Sequence, residues 1–201
     1  MVSSGLQRLF YVTWTIIKLN LFFVAGSFMG GIGLGIGPAF QTINDMMMTH
    51  GIDYQAMTWK GFFQGWQRNF KRSNLFFGVL VLSLFFVGYP LFLAVQITGL
   101  LWLMLAFLLF VVLLFLVEGY IYLVLYETMY EVSAKNLLKL AFISLFLSFR
   151  SFLKLLFGLV SILIITGYCK GLLVFATFSC LLLFAGYATK ENRNFVDRKL
   201  I

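Results

Sequence analysis

Between Leu100 and Leu125, 26 consecutive residues carry one charged side chain, Glu118. As a helix this run measures roughly 39 Å, more than the ~30 Å hydrocarbon layer of a bilayer. Lipid offers no water to backbone N–H and C=O groups, so such a run crosses as a helix, which satisfies them internally. Leu75–Gln96, Ser151–Gly167 and Leu172–Ala188 have similar character, and a further apolar stretch lies between Leu9 and Gly37 with Lys18 and Asn20 inside it. The expected fold is therefore all-α: one polytopic transmembrane helical bundle over residues 1–201, with about five spans at 9–37, 75–96, 100–125, 151–167 and 172–188. A soluble domain is excluded by composition. The chain is 62% hydrophobic and 11% charged, against about 45–50% and about 25% in soluble domains, and a chain this short cannot enclose so much apolar surface in one core.

Orientation follows from the basic residues, since Lys and Arg collect on cytoplasmic loops. Lys60, Arg68, Lys71 and Arg72 precede the second span; Lys135, Lys139, Arg150 and Lys154 lie between the third and fourth; Lys190, Arg193, Arg198 and Lys199 follow the last. Five spans put all three groups on one side, with a cytoplasmic tail at 189–201 and the N-terminus outside; an even count with a re-entrant N-terminal segment is the alternative and puts the N-terminus inside. The net charge of +8 then faces anionic lipid, and nucleic acid is not an expected partner. Cys169 and Cys180 match no metal or redox spacing and are expected to be free packing thiols. No small-x-small cleavage site follows the first apolar stretch, so the N-terminus is expected to be retained.

The segment before the second span has its own pattern. Trp59, Phe62, Phe63, Trp66 and Phe70 recur at helical spacing, with Lys60, Gln64, Gln67, Arg68, Lys71 and Arg72 on the other face. Rings on one side and cations on the other suit an interfacial helix over 59–72, with the rings at the acyl boundary. Phe63, Trp66, Arg68, Phe70, Lys71 and Arg72 are its candidate interfacial or docking residues, the choice being between an anchor and a surface for another protein. A second cytoplasmic helical stretch is expected from Tyr126 to Ser148, supported by Glu131 and Lys135 four residues apart.

Small and ionisable residues supply the remaining candidates. Gly26, Gly30, Gly33 and Gly37, with Gly31 and Gly35, give repeated GxxxG spacing that ends at Pro38; they are candidates for close helix packing or a hinge, with homo-oligomerisation or a gate as alternatives. Lys18 and Glu118 stand out among the ionisable residues of the apolar spans, where charge is costly enough to suggest a solute or ion pathway. Snorkelling to the interface is the simpler alternative, and Glu118 is expected near the inner boundary within reach of water or a cation. His50 is the only histidine and is expected in a loop. No catalytic constellation, metal set or cofactor fingerprint is visible.

Gly35-Ile36-Gly37-Pro38-Ala39 after an apolar helix, followed by Phe62-Phe63-Gln64-Gly65-Trp66-Gln67-Arg68-Asn69-Phe70-Lys71-Arg72-Ser73-Asn74 leading into a span, resembles the YesL family of small bacterial membrane proteins. That resemblance implies a multi-pass protein of a Gram-positive cell membrane, of unknown function, often encoded beside sugar importers and two-component regulators. It implies no catalytic residues. The expected function is a non-enzymatic accessory or regulatory component linked to carbohydrate uptake or sensing, with the lipid bilayer and a sugar importer or sensor kinase as partners. The alternative is a small-solute transporter or channel, motivated by the breaks at Gly30–Pro38 and Gly88–Pro90 together with Lys18 and Glu118.

Overall fold

A computed structural model describes residues 5–200. They form α1 (Gly5–Met29), α2 (Ile36–His50), α3 (Trp59–Gln96), α4 (Leu100–Met129), α5 (Ala134–Leu147), α6 (Phe149–Tyr168), α7 (Leu172–Phe175), α8 (Thr177–Ala188) and α9 (Lys190–Leu200), with no strand among the described residues. Helices α1, α3, α4 and α6 are long and apolar enough to cross a bilayer. The chain is an all-α bundle of the polytopic membrane type.

Element boundaries depart from the sequence expectations in several places. The N-terminal span stops at Met29, because residues 30–35 form a turn in which Gly31 and Ile32 both have φ of 64°. Within it a Cβ on Gly30 would collide with the Gly35 backbone, and one on Gly35 with the Ser27 carbonyl. Gly31/Gly35 and Gly33/Gly37 therefore share no helix face, and Gly33 borders open space. Pro38 does not end a helix. It is the third residue of α2, a first-turn position where the missing N–H costs no intrahelical bond, and His50, expected in a loop, is the last residue of that helix.

The interfacial helix 59–72 and the span 75–96 are one helix, α3, of 38 residues, roughly 57 Å long. Thr58 starts it by accepting the Gly61 N–H on Oγ1 at 3.1 Å, and no breaker separates Phe70 from Phe77. Helix α4 likewise runs past Leu125 to Met129, which leaves Glu131 in the connection to α5, so Glu131 and Lys135 do not share a helix. The expected span 172–188 is broken at Ala176, with φ −147° and ψ −29°. Beyond Thr189 the chain is not a tail but α9, whose Asn192 and Val196 are buried.

Packing centres on two adjoining cores. Leu19, Phe22 and Phe23 of α1 meet Ala39 and Ile43 of α2 and Phe62 of α3 in one; Tyr122, Leu125 and Tyr126 of α4 meet Leu137, Leu155 and Ala185 in the other. Inside a bilayer apolar burial merely exchanges lipid contacts for protein contacts, so close approach and hydrogen bonding decide which helices pair. Gly26, Gly37 and Gly65 provide the close approach: added Cβ atoms would sit 2.7 Å from Phe62 Cζ, 2.9 Å from the Ser73 carbonyl and 2.8 Å from Thr42 Cγ2. The α3–α4 hairpin, turning at Gly99 with φ 137°, extends away from these cores. Of residues 78–111, Ala94 and Ala106 alone are buried.

Candidate functional site

Helix α2 lies between α3 and α4, and its polar residues sit where all three meet. Asp45 Oδ1 accepts from Thr128 Oγ1 at 2.5 Å and Gln41 Nε2 at 3.1 Å; Oδ2 accepts from Asn69 Nδ2 at 2.7 Å and Arg68 Nη2 at 3.4 Å. Asn44 and Gln41 also donate to the Val124 carbonyl, at 3.1 and 3.2 Å, and to Thr128 Oγ1, at 2.8 and 2.9 Å. Asn69 donates a further bond to Thr42 at 3.2 Å. Gly65 permits this network, since a side chain there would hold α3 away from Thr42.

Next to it, Arg72 Nε pairs with Glu127 Oε1 at 2.7 Å while Nη2 donates to the Val132 carbonyl at 2.8 Å. Arg72 thus ties α3 to the end of α4 and to the turn beyond it. On the open side of Asp45 lies a recess of about 210 Å³ lined by Thr42, Asp45, Thr49, His50, Thr58 and Arg68 among others. It offers hydroxyls, an imidazole, the Asp45 carboxylate and, paired with that carboxylate, a guanidinium that is 73% exposed, a surface for a small polar group.

The α2–α3 connection forms the neighbouring wall and is tethered to α1. Lys18 Nζ donates to the Tyr54 carbonyl at 2.8 Å and Thr15 Oγ1 to the Ile52 carbonyl at 2.9 Å. The Lys18 ammonium also lies 6.0 and 5.9 Å from the Phe22 and Tyr54 ring centres, and Met57 is fully buried. Lys18 is therefore a strap on the connection, paired with backbone rather than with Glu118.

Other candidates fall outside this cluster. Of the aromatic stripe, Phe62 is a core residue packed 5.1 Å from Phe22, not a ring at the acyl boundary. Trp66 stacks between Phe63 at 6.5 Å and Phe70 at 4.9 Å, half-buried, with Nε1 buried and unpartnered among the described residues. Lys71 is exposed. Glu118 is 1% exposed and neither carboxylate oxygen meets a donor among the described residues. The expected reach to water or a cation is corrected: Glu118 is enclosed by the packing around α4, eleven residues before the helix end.

Attention to charged residues missed the uncharged polar ones. Asn20, fully buried, donates to the Leu173 carbonyl at 3.0 Å and accepts from the Phe178 and Ser179 N–H groups at 2.8 and 3.3 Å. It supplies the bonds that the break at Ala176 removes from α7 and α8. Asn192 donates to Tyr122 Oη at 2.8 Å and to the Ser144 carbonyl at 3.0 Å, docking α9. Beside it Arg193 donates to the Gly186 carbonyl at 2.5 Å, and burial pulls its guanidinium below the ordinary value. Tyr130 donates to Asp197, and burial, then this carboxylate, push its phenol up. For Asn20 the available signal was an amide side chain inside an apolar run, which bonds across helices in membranes; Asn192 lies in a polar stretch and carried no such signal.

Among the described residues no group of three His, Cys, Asp or Glu could hold a metal ion. The profile of a family described as a protein of unknown function, DUF624, matches residues 16–91, a stretch that holds the whole α2–α3 part of the network. No curated protein and no solved structure matches the chain.

Proposed function

We propose that this chain is a non-enzymatic membrane subunit, an accessory or regulatory component linked to carbohydrate uptake or sensing. The observation that carries the reading is the α3–α4 hairpin: over residues 78–111 two apolar helices pack on each other and leave their outer faces bare. Apolar faces of membrane depth are where a second membrane protein docks without disturbing the bundle. The network around Asp45 and Arg72 fixes the base of that hairpin. The carbohydrate link rests on the YesL-like motifs at Gly35–Ala39 and Phe62–Asn74, as do placement in a Gram-positive cell membrane and a sugar importer or sensor kinase as partner. The basic residues at 135–154 and 190–199 support a cytoplasmic C-terminus. Extraction in a mild detergent followed by affinity purification tests the reading: an importer subunit or sensor kinase should co-purify, and a cysteine added at the C-terminus should resist labelling from outside intact cells.

A transporter is the second reading, favoured by the helix broken at Ala176 and by the unpartnered Glu118, the irregularities solute pathways use. Proteoliposomes separate the two. Sugar movement by the isolated chain defeats the subunit reading, whereas co-purification without flux supports it.

A further inference from the structure

We propose that the trough between α6 and α8 holds one anionic phospholipid, its phosphate on Arg150 and Lys154 and an acyl chain along the apolar floor. The trough encloses about 580 Å³. Arg150, Leu153, Lys154, Phe157, Ser161 and Ile162 line it at offsets of three and four, so they form one face of α6. Both cations lie at one end, and the rest of that face is apolar apart from Ser161. From Arg150 to Ile162 the helix rises roughly 18 Å, close to the about 15 Å depth of one leaflet.

Helix α8 closes the other side. Thr166 and Thr177 share a hydrogen bond of 2.9 Å at the far end, which sets α6 and α8 antiparallel, and Phe184 covers Gly158 so closely that a Cβ there would collide with its ring. Tyr187 lines the trough towards the charged end and is 71% exposed, an aromatic with a polar tip at the depth of a headgroup. Charge complementarity selects the occupant. Among the described residues no carboxylate pairs with Arg150, and Lys154 reaches only Glu191, at 3.4 Å with both side chains partly exposed, a weak pair that a phosphate displaces. A zwitterionic lipid would bring its own cation up to Arg150 and Lys154 along with its phosphate, and a soluble phosphate would leave the apolar floor unused.

Native mass spectrometry of the intact chain in neutral detergent tests this, with phosphatidylglycerol, phosphatidylcholine of the same acyl chains, and glycerol 3-phosphate as probes. The wild-type chain should retain one phosphatidylglycerol about tenfold or more better than phosphatidylcholine, and glycerol 3-phosphate should not displace it. Arg150→Gln with Lys154→Gln should abolish the preference, Arg150→Lys should keep it, and Lys135→Gln with Lys139→Gln on α5 should leave it intact. Ser161→Trp should evict the lipid with both charges in place, which decides the matter even if the charge variant fails to fold. Equal retention of phosphatidylcholine, displacement by glycerol 3-phosphate, or retention unchanged by Ser161→Trp would overturn the proposal.

Discussion

Asp45 accepts four hydrogen bonds, and the longest of them comes from Arg68. Removing the carboxylate strands the Thr128 hydroxyl and takes one acceptor each from Gln41 and Asn69, which keep Val124 and Thr42, so Asp45→Ala should destabilise the chain by about 3 kcal/mol. Arg68 is mostly in solvent, and Arg68→Ala should change stability by less than about 0.5 kcal/mol. Thermal unfolding in detergent distinguishes the two; equal losses would mean that the ion pair to α3, not the network reaching α4, carries the contribution of Asp45. A second residue-scale outcome concerns Ile32, a β-branched residue at φ 64°. Left-handed backbone strains any L side chain and a branched one most. Ile32 is 55% exposed, so Ile32→Gly loses little packing and should raise stability by about 1 kcal/mol, less the extra freedom glycine gives the unfolded chain. A lower melting temperature would show that the turn depends on the Ile32 side chain.

At the scale of elements, Asn20 substitutes for the helical bonds lost at Ala176. Asn20→Ala should cost about 3 kcal/mol and should speed amide exchange at Phe178 and Ser179 before the rest of α8; uniform acceleration would deny the local role. Arg72 and Lys71 are neighbours on α3 with different duties. Lys71→Glu should be close to neutral, whereas Arg72→Glu sets a carboxylate beside Glu127, frees the Val132 carbonyl and should cost about 2 kcal/mol. Matching melting temperatures for the two variants would sink that distinction. These elements also mark how far the sequence could be read. Helical class and membrane residence were legible because they are summed over whole runs such as Leu100–Leu125. The join at Ser73–Asn74 was not, since a change of polarity at 72–75 signals a change of surroundings and carries no information on whether the helix axis continues. The break at Ala176 has no Gly or Pro to announce it and depends on an amide some 150 residues earlier in the chain. Of the network, Arg68 and Arg72 were singled out for their charge, while Gln41, Asn44 and Thr128 become partners only through the packing of α2 against α4.

Taken as a whole, the molecule is a packed bundle with a long hairpin attached. The two parts share α3 and α4 but few side-chain contacts, so changes in each should act independently. Ala94 is 2% exposed near the hairpin end, and Ala94→Leu should overpack it at a cost of about 2 kcal/mol. Combined with Asn20→Ala, the two losses should add to within about 0.5 kcal/mol; a larger coupling in the double variant's melting would show that the parts are mechanically joined. One route for such joining exists through α3 itself. Its unbroken axis passes the tight crossing at Gly37 and Ser73, 14 residues from Trp59 and 23 from Gln96. That crossing divides the helix into arms of roughly 21 and 35 Å. A beam held at such a fulcrum scales motion by the ratio of its arms, so a tilt that shifts the Gln96 end sideways by about 5 Å swings the Trp59 end about 3 Å the other way. The recess beside Asp45 and Arg68 lies on the shorter arm, and a neighbour leaning on the hairpin would open or close it without touching it.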